Sequence, residues 1–239
     1  MDKYNHSSLV IDGFSFKRFT VNHGKCAMKV GTDGVLLGAW ARGGRRILDV
    51  GTGSGLVALM MAQRFEEAEV TAIDIEPGAC LQAREHVAAA PFAGRISVVE
   101  MALQSFQGGE YDAIVCNPPF YAGTLASKTA ARTMARSAET LPFADLFRHV
   151  ARLLADGGEF SVVIPSALRG EFDAEAAFFG MFPCRVCTVK TVPHKAASRC
   201  LLAYGKRPVG KVDEAEECLN NADMTRSEWY AGLTGEFYL

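Results

Sequence analysis

From Arg45 to Tyr204 the chain alternates short apolar runs with stretches of helical period, and that alternation narrows its possible folds more than any other feature. Two parallel strands need a crossover of about a dozen residues or more, usually helical, so this rhythm predicts a parallel sheet in an α/β fold. Strands are predicted at 45–50, 69–74, 96–99, 111–116, 160–164, 184–192 and 199–204. Helices are predicted at 56–64, at 77–89 behind Pro77, from Leu141-Pro142-Phe143 to near 154, and at 169–179. Asp156-Gly157-Gly158 reads as the stop of the third of these helices. Tyr111-Asp112-Ala113-Ile114-Val115-Cys116 is apolar enough to be covered on both faces. There is no internal repeat, and residues before about Val35 show no period that places them.

A chain of 239 residues, 49% of them hydrophobic, can bury a full core and is expected to form a single domain over 1–239, with 1–44 as leader and 45–239 as core. No run approaches ~18 apolar residues, so no membrane span is expected. The polar start Met1-Asp2-Lys3-Tyr4-Asn5-His6 does not read as a signal peptide. Seven cysteines at irregular spacing suggest reduced thiols and a cytoplasmic location.

The net charge of −2 by itself speaks against a nucleic-acid partner, but its distribution does not. Residues 13–32, 113–138 and 176–212 hold 14 of the 25 basic residues and none of the 27 acidic ones. Brought together in space, these segments would form a positive face for a nucleic acid; the alternative is chance clustering of solvated charges.

The turn after the first predicted strand reads Asp49-Val50-Gly51-Thr52-Gly53-Ser54-Gly55. Glycines there permit positive φ and close approach of a ligand to the backbone. The spacing G-x-G-x-G differs from the G-x-G-x-x-G of dinucleotide sites, and no Gly-Lys-Ser/Thr follows to cradle phosphates. Asp74 ends the second predicted strand, where a carboxylate can accept both hydroxyls of a ribose. A nucleoside without phosphates suits this pair, and S-adenosyl-L-methionine is one. A ligand-free turn and a nicotinamide or flavin dehydrogenase are the alternatives at this point.

Asn117-Pro118-Pro119-Phe120 falls where the fourth predicted strand ends. In open α/β sheets ligands bind at the carboxyl ends of strands, near the point where strand order reverses. The exocyclic amine of an aromatic ring is a weak nucleophile whose two N–H groups need two acceptors. The Asn117 side-chain oxygen and the Pro118 carbonyl can supply them. Pro118 and Pro119 lack a competing N–H and stiffen the loop, and Phe120 can stack on a base for about 1–3 kcal/mol. A Pro-Pro turn capped by Asn is the bland alternative.

These motifs, with Phe14 to Phe19, Cys26 to Trp40, Ser54-Gly55-Leu56, Pro193-His194, Ser227-Glu228-Trp229-Tyr230, Leu233-Thr234 and Phe237-Tyr238-Leu239, span nearly the whole chain. Over them it resembles class I methyltransferases with an N-P-P-[YF] motif, most closely the bacterial family that methylates N6 of adenine 37 in tRNA(Val). The resemblance implies a Rossmann-like fold: a mostly parallel seven-stranded sheet with the last strand antiparallel and helices on both faces. It implies S-adenosyl-L-methionine as cofactor, bound by Gly31, Thr32 and Asp33 at its methionine end and by Asp49, Gly51, Gly53, Gly55 and Asp74. The leader would then pack on the cofactor site. The family often has an Asp after the third strand that touches the cofactor's adenine; this chain has Ala102 within Glu100-Met101-Ala102-Leu103.

Lys128, Arg132 and Arg136 recur every four residues and, with Lys195 and Arg199, are candidate RNA contacts, or else solvated charges. No metal site is expected, since Cys184 and Cys187 lack a second ligand pair and read as neutral thiols. His194 reads as packed or hydrogen-bonded. No obligate protein partner is evident. Transfer to a protein glutamine amide, to guanine N2 or to a small amine are rival activities, and a nucleic-acid-binding module without catalysis is a rival of another class.

Overall fold

Ile47 and Leu48 are sequence neighbours, yet they belong to two different apolar cores. The computed structural model, which describes residues 13–22, 30–118 and 141–239, shows why. Its strands are β1 (Gly13–Ser15), β2 (Thr20–Asn22), β3 (Arg46–Val50), β4 (Glu69–Asp74), β5 (Ile96–Glu100), β6 (Tyr111–Cys116), β7 (Leu154–Pro165), β8 (Phe182–Lys190), β9 (Arg199–Gly205) and β10 (Asp213–Cys218). Its helices are α1 (Thr32–Trp40), α2 (Leu56–Arg64), α3 (Pro77–Ala88), α4 (Phe143–Leu153), α5 (Arg169–Phe178) and α6 (Glu228–Thr234). Side chains alternate across each strand, so Ile47, Val115 and Leu201 face one core while Leu48, Ile114 and Leu202 face the other. Residues of α1, α2 and α3 fill the first core, and residues of α4 and α5 the second.

Strands β3 to β10 form one sheet in the order β10-β8-β9-β7-β6-β3-β4-β5. Only β9 runs against its neighbours, and the other pairs are parallel. The chain steps from β3 to β4 and β5 on one side, then returns to β6 on the other. A crevice therefore opens at the carboxyl ends of β3 and β6, where strand order reverses.

The expected mostly parallel sheet with helices on both faces is present, but among the described residues it has eight strands rather than seven, and the antiparallel one is β9, next to last in the chain. The added strand, β10, reads Asp-Glu-Ala-Glu-Glu-Cys and has no apolar alternation to announce it. Parallel pairing with β8 holds it, along with ion pairs from Arg169 to Glu214 and Lys190 to Glu216. Its acidic side chains suit an edge that must not pair further. Asp156-Gly157-Gly158 does not stop a helix either: β7 begins at Leu154, directly after α4, and these residues form a register shift against β6. A methyl at Gly158 would lie 2.8 Å from the Asp112 carbonyl oxygen, so glycine is required by close backbone approach.

The leader contains α1, in which Gly34 to Ala39 are all buried. A helix buried on nearly every side has no polar stripe, so periodicity could not find it. It packs on α2 at Gly38, where a methyl would lie 2.7 Å from Met60 Sδ. Arg64 Nη1 donates to the carbonyls of Gly38 and Ala41, closing the last turn of α1.

Candidate active site

The turn after β3 takes positive φ at Gly51 (70°), Gly53 (56°) and Gly55 (82°), conformations that other residues adopt only under strain. A side chain at Gly51 would meet nothing within 4 Å among the described residues, so the turn is open there. The N–H groups of Gly51 and Thr52 donate to the Ile73 carbonyl at 2.9 and 3.0 Å. Gly53 N–H donates to Asp74 Oδ2 at 2.8 Å, and Glu76 N–H to Asp74 Oδ1 at 2.9 Å. Each carboxylate oxygen has a second lone pair, so half-buried Asp74 can still accept two ribose hydroxyls.

Asp49 is placed differently. Its carboxyl is 1% exposed at the base of the turn, and Oδ2 accepts from Thr52 Oγ1 (2.6 Å) and Ala58 N–H (3.1 Å). Gly55, at the start of α2, has no side chain to cap that helix, and Asp49 satisfies one of its free N–H groups instead. Burial pushes the Asp49 carboxyl up to about 7, aided by the nearby Asp74 charge and opposed by those two hydrogen bonds. Its contacts thus hold the turn in place.

Val50 pairs with Cys116 across β3 and β6, which sets Gly51 and Asn117 side by side at adjacent strand ends. Helix α1 reaches the same place: a methyl at Gly34 would lie 3.0 Å from Leu56 Cδ2 and 3.7 Å from Asn117 Nδ2. Gly31, Thr32 and Asp33 directly precede Gly34 at the start of α1. Pro118 is buried behind Asn117. Pro119, Phe120, Lys128, Arg132 and Arg136 lie outside the described residues.

Arg199, a candidate RNA contact, approaches Asp33 with Nε 2.9 Å from Oδ1. The approach is an ion contact without hydrogen-bond alignment, since Asp33 Oδ1 and Arg199 Nη1 are both buried with no aligned partner among the described residues. The acid-free run 176–212 does not make an unbroken positive face. Arg185 pairs with Glu159, Lys190 with Glu216, and Lys206 and Arg207 with Asp156, all acids from other parts of the chain. Because β9 is antiparallel, Lys206 and Arg207 follow its end at the side of the sheet away from the crevice, whereas Lys195 precedes its start on the crevice side. Lys195 is exposed, and so is His194, which rules out the packed alternative of the packed or hydrogen-bonded role expected for it. Burial pushes the Cys184 and Cys187 thiols up to about 11 and about 12, which keeps them neutral.

Residues 29–182, more than half the chain and including the glycine turn, Asp74 and Asn117, match the model of the methyltransferase small domain. The chain belongs to the methyltransferase small domain family. This methyltransferase is 43% identical over 230 residues to a tRNA1(Val) (adenine(37)-N6)-methyltransferase of Aeromonas hydrophila, covering 95% of this chain and 97% of the relative. A protein of the same name from Parabacteroides distasonis is 43% identical over 231 residues, with the same coverage. Among solved structures, an Agrobacterium tumefaciens protein described as a predicted O-methyltransferase superposes with a TM-score of 0.69 at 20% identity, covering 86% of this chain and 96% of that one. A Streptomyces coelicolor geranyl diphosphate C-methyltransferase, solved with S-adenosyl-L-homocysteine, gives 0.51 at 13% identity over 70% of this chain and 74% of that one. At such identities these two show a shared fold.

Sequence reasoning missed two residues of the methyltransferase's site region, Gln82 and His86 on α3. Both are buried, and both bond to Asn22 of β2. Two polar residues four apart on an otherwise apolar helix face were the available signal. No helix among the described residues is long and apolar enough to cross a membrane.

Proposed function

We propose that this enzyme transfers the methyl group of S-adenosyl-L-methionine to the N6 amino group of adenine 37 in tRNA(Val). The observation that carries the reading is the placement of Asn117 beside Gly51 at the reversal point of the sheet. The near-complete coverage of relatives bearing that activity supports it.

The residues fit the cofactor. An open glycine turn, with Asp74 at the next strand end, is suited to a nucleoside with free ribose hydroxyls. Gly31, Thr32 and Asp33 would hold the methionine end. When bound, S-adenosyl-L-methionine supplies a methyl already activated on a sulfonium, so positioning of the acceptor carries most of the rate. With Asn117 Nδ2 on the Gly34 side, Oδ1 is the atom left to accept one amino N–H of the adenine, and the Pro118 carbonyl accepts the other. Two acceptors favour a pyramidal nitrogen whose lone pair faces the donor. Phe120 would stack on the base, which leaves a tRNA loop at lower cost than a duplex. Lys195, with Lys128, Arg132 and Arg136, would meet tRNA phosphates. Arg199 serves the cofactor end through Asp33. The enzyme would act as a single domain in the cytoplasm, where its substrate is found.

The test is methyl transfer from labelled S-adenosyl-L-methionine to tRNA lacking the modification, followed by nucleoside analysis. Label is expected in N6-methyladenosine. Label in N2-methylguanosine, or in a protein amide and not in RNA, would overturn the assignment.

A further inference from the structure

Gln82 and His86 lie one helical turn apart on α3, so they share a face, and both are almost fully buried there. Together they grip the backbone of one residue. Asn22 C=O accepts from Gln82 Nε2 at 2.6 Å, and Asn22 N–H donates to His86 Nε2 at 2.9 Å. An amide N–H can only donate, so His86 Nε2 must carry the lone pair. The proton of the neutral ring is then on Nδ1, which donates to the Ser54 carbonyl at 2.8 Å. One imidazole therefore joins the N-terminal hairpin to the centre of the glycine turn.

Ser54 stands between Gly53 and Gly55, both at positive φ, and is itself buried. Its carbonyl shares a rigid plane with Gly55 N–H. Asp49, the Ile73 carbonyl and Asp74 hold the start of the turn, and His86 holds its second half. Gly55 N–H donates to the Thr52 carbonyl at 2.9 Å, so the Ser54–Gly55 peptide plane is held from both edges. Losing the bond to His86 leaves Thr52 alone to hold it, and glycine at 53 and 55 gives the backbone little stiffness against a tilt of the plane.

We propose that His86 is a positioning residue for the cofactor turn, and that the Nδ1–H to Ser54 bond, more than the bond to Asn22, sets cofactor affinity. This rests on the reading that S-adenosyl-L-methionine binds at the glycine turn. Two substitutions divide the ring's functions. In His86→Asn an amide nitrogen replaces Nδ1, keeping the donor to Ser54 and losing the acceptor for Asn22. In His86→Gln an amide replaces Nε2, keeping Asn22 and losing Ser54.

The experiment measures S-adenosyl-L-homocysteine affinity by calorimetry, KM for S-adenosyl-L-methionine, kcat at saturation, and Tm for wild type and both variants. His86→Gln is expected to raise Kd and KM about tenfold with kcat within about twofold, while His86→Asn stays within about threefold of wild type in all three. Wild-type affinity in His86→Gln overturns the proposal, and so does equal loss in both variants that follows Tm, since that is packing alone. A wild-type protein that binds no S-adenosyl-L-homocysteine overturns the cofactor reading, and the proposal with it.

Discussion

Asp49 and Asp74 end adjacent parallel strands, and burial separates what each can do. Asp74 keeps lone pairs toward the crevice, while Asp49 is sealed under the turn with a carboxyl that titrates at about 7, against 3.8 for a free one. Between these values the folded protein holds a proton that the unfolded chain has lost. Linkage then makes stability fall as pH rises from about 4 to about 7, and level off above. Asp49→Asn keeps an oxygen for Thr52 and Ala58 but removes the titration. Its unfolding free energy, from denaturant titrations at several pH values, should change less over that window than wild type; an unchanged slope would show that another group is responsible. For Asn117→Ala, kcat should fall by about 100-fold or more, from loss of one acceptor in a preorganised site. S-adenosyl-L-homocysteine affinity should stay within about threefold, which equilibrium binding checks.

At the scale of elements, α1 matters most, because it carries the leader to Asn117 and packs on the helix that follows the glycine turn. Gly38 permits that approach. In Gly38→Ala the new methyl would stand 2.7 Å from Met60 Sδ and 2.9 Å from Met60 Cβ, and the second atom has little freedom to give way. The variant should lose about 1–3 kcal/mol by overpacking, seen as a lower denaturant midpoint at unchanged m-value. The core strands, such as β3 and β6, were legible because continuous apolar runs and turn residues are local signals. Helix α1 and strand β10 were not, one having no polar face and the other almost no apolar residue.

Across the whole molecule, charge decides where RNA would meet it under the proposed activity. Lys206 and Arg207 are paired with Asp156 on the side of the sheet away from the crevice, and Lys195 is exposed on the crevice side. Lys195→Ala should therefore weaken tRNA binding and lower the salt dependence of log Kd by about one unit of slope. The double variant Lys206→Ala with Arg207→Ala should leave both unchanged in filter-binding titrations over a range of salt. The reverse pattern would place the RNA on the far side. The acid-free run that holds Lys195, Lys206 and Arg207 could not distinguish them, because Asp156, which pairs with the last two, comes from a distant part of the chain.

By itself the sequence determined the strand–helix rhythm, the glycine turn with Asp74, and the place of Asn117 at a strand end. Each depends on residues close in the chain, where period and turn chemistry act directly. Only the tertiary structure decided that Asp49 faces inward, that Arg199 serves Asp33, and that His86 joins Asn22 to Ser54 across 64 and 32 residues. Those roles follow from burial and from partners that packing brings together, and no local pattern encodes either.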